Sequence, residues 1–541
     1  MKISNEKILA RWLSDRAKQL YGVEVEAEIF EPDNPDFGDL STNQPFKLAR
    51  TVRKPPKVIG EEILDADIPE IFSRAEMAGA GYINFYFDID YLHSVVLDVN
   101  RNPDEWGRFQ IENPKNIQIE FVSANPTGPL NIVSARAAAV GSTIAKLLEL
   151  AGNKVTTEFY INDAGNQIRL LGESFRCRIE QVKGKHCEMP EDGYFGEYLV
   201  DYAREYVEKS PSETPDEWIL RRILDEQREI LEKFRTHFDS WFSESEFRKT
   251  GKVEQVLERL THKGLVYEYE GAKWFKASEI NSDAKDFVLI KSDGEWAYGL
   301  VDIAYHANKF EERGFDIVHT ILGPDHHGHK ARMESAMKAL GHDGKLKIII
   351  LQQVNLIEGG EKVKMSKRAG KIITMDTLIE DVGIDAARYF FLARKAESHL
   401  DFDLALARKT SDENPVYYIQ YAYARIQSIL RFAKSKGIDI DHIDSKSADL
   451  NLLTQPEENI LCRKIIKFPS EVKEAAISIQ PHIIPFYLLE LAKIFHNFYT
   501  KHRVVCDDEK LTLARVSLIS AVSNTIKNGL AICGIEAPSE M

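Results

Sequence analysis

The chain reads as an α/β doubly wound (Rossmann-type) domain with insertions, preceded by a small α+β domain and followed by an all-α domain. Three observations predict this. Residues 117–161 run strand, Pro/Gly turn, helix, strand, which is the βαβ unit of a doubly wound sheet. Residues 316–354 repeat strand, helix, strand after a long charged interruption. Beyond about residue 406 the apolar spacing is helical only.

The bulk properties agree. A chain of 541 residues exceeds one hydrophobic core and points to three or four domains of ~150 residues. At 43% hydrophobic and 29% charged it has the composition of an ordinary folded protein. No apolar run reaches the ~20 residues of a bilayer span, so no membrane partner is expected. The five cysteines form no CxxC pair and read as reduced thiols in a cytoplasmic protein. His186 beside Cys187 has no second ligand pair, so no structural zinc is expected. The net charge is −15, but residues 411–541 hold 15 Lys and Arg against 16 Asp and Glu. That near-neutral last quarter is free to present a local basic face to nucleic-acid phosphates.

Taken in order, residues 1–110 form the first unit. Its opening helix carries Ile8, Leu9, Trp12, Leu13 and Leu20 on one side and is not a signal peptide. A turn at Asn34-Pro35-Asp36-Phe37-Gly38-Asp39 and a strand, Tyr82-Ile83-Asn84-Phe85-Tyr86-Phe87, follow, with a linker at 100–104. Residues 111–405 form the second unit, with strands at 117–122, 155–161, 316–322 and 346–354 and helices at 134–150 and 330–340. Within it, about 172–285 reads as an insertion of charged helices (198–243) with no sheet pattern, and Asp293-Gly294 as a hairpin turn. Residues 406–541 are helical, with stripes Ile419, Tyr423, Ile426, Leu430 and Ile519, Val522, Ile526, Leu530, the last closed by Gly534 and Pro538. No coiled-coil or edge-strand signal suggests assembly, so a monomer is expected.

Two segments stand where chemistry is expected. The first is the turn Asn125-Pro126-Thr127-Gly128-Pro129-Leu130-Asn131-Ile132-Val133-Ser134. In a doubly wound sheet ligands bind at the carboxyl ends of the strands, and the next helix aims its free N–H groups at them. Gly128 between two prolines makes a rigid turn where a nucleotide can lie close to backbone; a purely structural βα turn is the alternative. The second is Lys364-Met365-Ser366-Lys367-Arg368, after a buried strand and between Gly359-Gly360 and Gly370. Three cations on a hinged loop suit a phosphorus whose charge spreads onto departing pyrophosphate; a solvated charge run is the alternative.

In this order the two segments resemble the ATP-handling signatures of class I aminoacyl-tRNA synthetases, and more of the chain resembles the arginyl-tRNA synthetases. The resemblance is carried by Glu120-x-x-Ser123-x-Asn125-Pro126-Thr127-Gly128-Pro129-Leu130, by Tyr160-Ile161-Asn162-Asp163-Ala164-Gly165-Asn166-Gln167 and by Asp302-Ile303-Ala304-Tyr305. Gly323-x-Asp325-His326-His327-Gly328, the lysine segment and Asn414-Pro415-x-Tyr417-Tyr418-x-Gln420-Tyr421-Ala422 follow in family order. Phe37-Gly38-Asp39 and Gly81-Tyr82-Ile83-Asn84 resemble that family's amino-terminal domain, so the likeness covers almost the whole chain.

The resemblance implies arginine–tRNA ligase activity through an arginyl-adenylate, with tRNA-Arg, L-arginine and ATP as partners and Mg2+ on the ATP phosphates but no organic cofactor. Glu120 and Asp302 would meet the guanidinium, Tyr298 would wall it, and Ser123 and Asn125 would hold the amino acid's backbone end. Carboxylates in bidentate pairing with an aromatic face nearby are the chemistry a guanidinium needs, and lysine cannot satisfy it. Pro126 to Ser134, His326, His327, Met365 and Ser366 would bind ATP, with Lys364, Lys367, Arg368, Asn131 and Ser134 in catalysis. Tyr417, Tyr421, Arg425 and Arg503, with Phe498 and Tyr499, would meet anticodon bases, and the amino-terminal domain the tRNA elbow.

The sequence departs from the family where the first signature should end in His-x-Gly-His. Asn131, Val133 and Ser134 stand there. Asn131 and Ser134 can donate hydrogen bonds and cap the helix, but neither carries a charge. Two readings follow. The work of the histidines passes to backbone N–H groups, Mg2+ and the lysine loop, which is the expected one. Alternatively the chain is a catalytically weakened synthetase-like protein that binds tRNA or arginine without activating it. A non-tRNA adenylyltransferase would not need the two flanking domains.

Overall fold

The computed structural model describes residues 4–32, 34–363, 373–438 and 448–541. Its centre is a five-stranded, all-parallel sheet in the order Leu346–Ile350, Ile317–Leu322, Asn116–Glu120, Lys154–Ile161, Ser240–Ser243. Ile117, Ile119, Val318 and Phe159 are buried because helices cover both faces of such a sheet. Helix Ile132–Leu150 follows the central strand and is buried nearly all round, which its run of alanines permits.

Two expectations about this sheet are corrected. The predicted strand at 346–354 is two strands in different sheets. Leu346–Ile350 ends the central sheet, and Val354–Glu358 pairs in parallel with Leu400–Asp403 and antiparallel with Glu361–Lys362. The break is held by Arg136, wholly buried, which donates to the carbonyls of Gln352 (2.7 Å), Lys395 (2.9 Å) and Ser398 (3.0 Å). The insertion is also not helices alone. After helices Asn166–Val182, Tyr198–Lys209 and Pro215–Lys233 the chain adds the edge strand Ser240–Ser243, then a three-stranded antiparallel sheet of Val266–Tyr269, Ala272–Phe275 and Phe287–Ile290. These strands span four residues each, too few for alternation to show. The Asp293-Gly294 turn closes as expected, with the Gly294 N–H donating to Lys291 O and Ile290 bridging Trp296.

The cysteine expectation is corrected too. Cys177 and Cys187 are joined by a disulfide, and Cys462, Cys506 and Cys533 are free. Their ten-residue separation carries no signature; helix Asn166–Val182 and the strap that follows it bring them together.

The amino-terminal domain is a four-stranded antiparallel sheet packed with helix Asn5–Tyr21, which buries Leu9, Leu13 and Ala17, while Leu20 is exposed. The predicted linker at 100–104 is instead the end of helix Ile89–Arg101 and a 3-10 turn, Pro103–Glu105. Asn528 donates to the carbonyls of Pro103 (2.6 Å) and Trp106 (2.9 Å), so this segment is packed on the last helix. Among the described residues the carboxy-terminal unit has four long helices, Pro415–Ser435, Pro456–Ser478, Ile483–Lys501 and Glu509–Ile532. Ile519, Val522, Ile526 and Leu530 are wholly buried, as the stripe predicts. No helix among the described residues is long and apolar enough to cross a membrane.

Candidate active site

A cleft of about 250 Å³ opens at the carboxyl ends of the strands. It gathers Glu120, Ser123, Asn125, Tyr298, Asp302 and His326 of the expected residues, and adds Tyr160, Asn162, Tyr305, His306 and His329. Pro126 to Ser134 lie outside its lining. The lysine segment, with Lys364, Met365, Ser366, Lys367 and Arg368, lies outside the described residues, as does the His327 side chain.

The central strand ends in a contorted step: Val122 has φ 67° and Ser123 φ 38°. Left-handed backbone is costly for a β-branched residue and is held here by what it gains. Ser123 donates to Glu120 Oε1 (3.1 Å) and accepts the Tyr160 N–H (3.1 Å). Asn125 donates to Gln167 Oε1 (2.7 Å) and accepts from Asn162 Nδ2 (3.0 Å).

Beneath the cleft lies a buried charge network. Lys309 donates to Glu120 Oε2 at 2.6 Å, and Tyr305 donates to Glu120 Oε2 (3.0 Å) and Glu158 Oε1 (2.6 Å). Glu158 also takes Arg313 (3.0 Å to Oε1) and Ser240 (2.7 Å). Burial alone would raise the Glu158 carboxyl; Arg313 and Lys309 overcome that and hold it below the usual range. Asp302 Oδ2 is 2.8 Å from His329 Nε2. Behind it, His306 Nδ1 meets the Asp302 carbonyl (2.9 Å), and burial lowers its pKa to about 3, so it is neutral. Tyr298 begins helix Tyr298–Glu311 rather than lying in the hairpin, and its ring stands 5.7 Å from that of His329. Asp302 first, then burial and Glu120, push its hydroxyl pKa well above the phenol value.

Sequence reasoning missed Glu244. It is buried, Arg248 holds its Oε1 (2.7 Å), and the buried Tyr160 hydroxyl is set against its carboxylate. Burial raises the Glu244 pKa, and its charge bears on Tyr160, Tyr298 and Asp302. Nothing in a lone Glu before a short helix signals this, as for Lys309 and His329.

At Gly128 the face a Cβ would occupy is filled by the Tyr198 ring, with Cζ and the hydroxyl each at 3.1 Å. Asn131 does cap the helix, its Oδ1 accepting from the N–H groups of Val133 (2.9 Å) and Ser134 (3.2 Å). Those two N–H groups are thereby spent on the cap, while the amide NH2 of Asn131 can still donate. Ser134 is buried. Just past the lysine segment, the Met375 N–H donates to Leu130 O (2.8 Å) and Thr374 bridges Asn131, so the chain returns directly onto the first signature.

On the carboxy-terminal helices, Arg425 lies over the rings of Tyr421 (5.2 Å) and Tyr499 (5.6 Å), and Tyr421 stacks on His496. Arg503 is exposed in a groove with Tyr499 and Phe432. Tyr417 is half-buried, and Phe498 is wholly buried core and leaves the list of base-contacting candidates.

A parallel sheet with its cleft at the strand ends, and a signature turn leading into a helix, place the central domain among the class I aminoacyl-tRNA synthetases. Residues 102–400 match the family model "tRNA synthetases class I (R), catalytic domain", residues 6–87 "Arginyl tRNA synthetase N terminal domain" and residues 419–541 "DALR anticodon binding domain". The chain is 43% identical to the arginine–tRNA ligase of Carboxydothermus hydrogenoformans, covering 96% of this chain and 95% of that one. It is 42% identical to that of Listeria monocytogenes over the full length of both. The solved arginyl-tRNA synthetase of Thermus thermophilus shares the fold, with a TM-score of 0.77 at 23% identity over 99% of this chain and all of that one. The chain belongs to the arginyl-tRNA synthetase family, the ligases that join arginine to tRNA using ATP.

Proposed function

We propose that the cleft binds L-arginine with its guanidinium toward Asp302 and its backbone end toward Ser123 and Asn125. The observation that carries this reading is the charge arrangement. Lys309 already answers Glu120 beneath the cleft, so Asp302, which lines the cleft beside the Tyr298 ring, is the carboxylate placed to meet a planar, forked cation. Glu120 acts by shaping this floor and by fixing Ser123.

ATP lies across the first signature, from Pro126, Thr127, Gly128, Pro129 and Leu130 to Asn131, Ile132, Val133 and Ser134, and His326, His327, Met365 and Ser366 contribute to binding it. The arginine carboxylate attacks the α-phosphorus and pyrophosphate leaves; a ribose hydroxyl at the tRNA end then attacks the adenylate carbonyl and AMP leaves. Lys364, Lys367 and Arg368 offset the charge on the departing oxygens, and the Asn131 amide donates one hydrogen bond where the family has a histidine. Mg2+ would ride on the ATP phosphates, as this cation commonly does. Tyr417, Tyr421, Arg425 and Arg503 face the anticodon loop, and residues 1–110, 111–405 and 406–541 act as elbow-binding, catalytic and anticodon-binding units of a cytoplasmic monomer.

The test is charging of tRNA-Arg with labelled arginine beside a Lys367→Ala variant. Wild-type charging with a large loss in the variant is expected. Tight tRNA binding without charging by the wild type would leave a binding protein only, and charging with another amino acid would overturn the arginine pocket.

A further inference from the structure

The segment Asn125 to Gly128 joins the arginine end of the site to the helix capped by Asn131. It cannot be held by a backbone ladder. Pro126 and Pro129 have no N–H to give, and within the turn the Thr127 N–H donates to Asn125 O (2.8 Å). The carbonyls that remain are collected by two side chains from the insertion. Tyr198 donates its hydroxyl to Thr127 O at 2.6 Å. Gln227, buried in helix Pro215–Lys233, donates to Gly128 O (3.0 Å) and Asn125 O (3.4 Å). The Tyr198 ring also covers the open face of Gly128, so the turn is gripped by shape as well as by hydrogen bonds.

Both gripping residues are themselves fixed. Tyr198 opens helix Tyr198–Lys209 at the end of a strap laid along helix Asn166–Val182. The strap is pinned by the Tyr194 N–H to Ser174 Oγ (2.9 Å), by Arg178 to Phe195 O (3.0 Å) and by the Cys177–Cys187 bond. Gln227 is carried between Ile223, Leu224, Ile230 and Leu231, all buried. The insertion thus presents a hydroxyl and an amide as one rigid clamp.

We propose that Tyr198 and Gln227 are positioning residues that select the turn geometry able to receive ATP. The inference rests on the reading that this segment handles ATP. Without the clamp the turn populates other conformations, and the apparent ATP affinity falls by the fraction of molecules in the competent one. Once ATP is bound the turn is in place, so chemistry proceeds at its normal rate. The insertion, which supplies no reacting group, sets how tightly the nucleotide is held.

The experiment compares Tyr198→Phe and Gln227→Met with the wild type in arginine-dependent ATP–pyrophosphate exchange and in direct ATP binding by calorimetry. Tyr202→Phe serves as control, because its hydroxyl meets Glu226 inside the insertion and the ring that packs edge-on against Tyr198 is kept. Tyr198→Phe keeps the ring, and Gln227→Met keeps the volume, so both should fold. Expected are KM and Kd for ATP raised about fivefold or more with kcat within about twofold, a single hydrogen bond being worth that much. The double variant is expected to fall short of the product of the singles, since both act on one turn. Unchanged ATP affinity in both variants, or an equal rise in Tyr202→Phe, would overturn the clamp while leaving the ligase reading intact. A wild type that binds no ATP would overturn both.

Discussion

Lys309 Nζ stands 2.6 Å from Glu120 Oε2, with the lysine side chain wholly buried and the carboxylate 7% exposed. Two desolvated charges this close are stable only together. Lys309→Met is expected to cost about 3–5 kcal/mol, because it strands the Glu120 charge in the protein interior. The double variant Glu120→Gln/Lys309→Met should lose much less. Thermal midpoints of the three proteins check this, and a double variant no better than the single would refute the pairing.

Asp302→Asn tests the guanidinium reading. Loss of a charge-assisted hydrogen bond should raise KM for arginine about 10–100-fold and leave KM for ATP within about twofold. A rise in both would mean that Asp302 supports the fold of the cleft rather than its ligand.

Arg136→Lys bears on the break between the two sheets. A single ammonium cannot span the three carbonyls of Gln352, Lys395 and Ser398. Each acceptor left bare in the interior costs about 1–3 kcal/mol, so a loss of about 2–4 kcal/mol is expected in thermal or denaturant unfolding.

Acid should destabilise the chain through His306. Its folded pKa is about 3 against 6.5 in the unfolded chain. Between those values the unfolded state binds the extra proton, so stability is complete above about pH 6.5 and is lost progressively toward pH 3. At pH 5 this one group should remove about 2 kcal/mol. His306→Asn, read against the wild type as thermal midpoint versus pH, should flatten that fall; parallel curves would exclude His306 as its source.

Arg425→Ala should raise KM for tRNA about tenfold and leave kcat at saturating tRNA unchanged, the loss expected when a cation and its paired rings no longer hold one base. A fall in kcat alone would argue against a tRNA-facing role.

Much of this was legible in sequence where apolar residues repeat at one period. Ile117 and Ile119 announce a buried strand, and Ile519 to Leu530 a helix face, because a core imposes spacing on its members. Glu120, Ser123, Asn125, Tyr298 and Asp302 were legible through motif and converge on one cleft. What stayed hidden follows from the same logic. Lys309, His329, Tyr198 and Gln227 are single polar residues whose partners lie far along the chain, and a contact across sequence leaves no period. The strand Ser240–Ser243 is too short to alternate, and Cys177 and Cys187 meet only after a helix has folded.

The packing of helix Ile89–Arg101 on the last helix also sets a timetable for synthesis. Asn100 donates to Ser517 O at 2.8 Å, across 417 residues of chain. At ribosomal elongation rates that partner emerges roughly 20–80 s later. For that interval Leu92, Val95, Val96 and Val99, which end up buried, wait on a nascent chain whose final partner has not been made. A domain that emerges early is therefore finished late, and its waiting helix is where a chaperone would have its longest opportunity to bind.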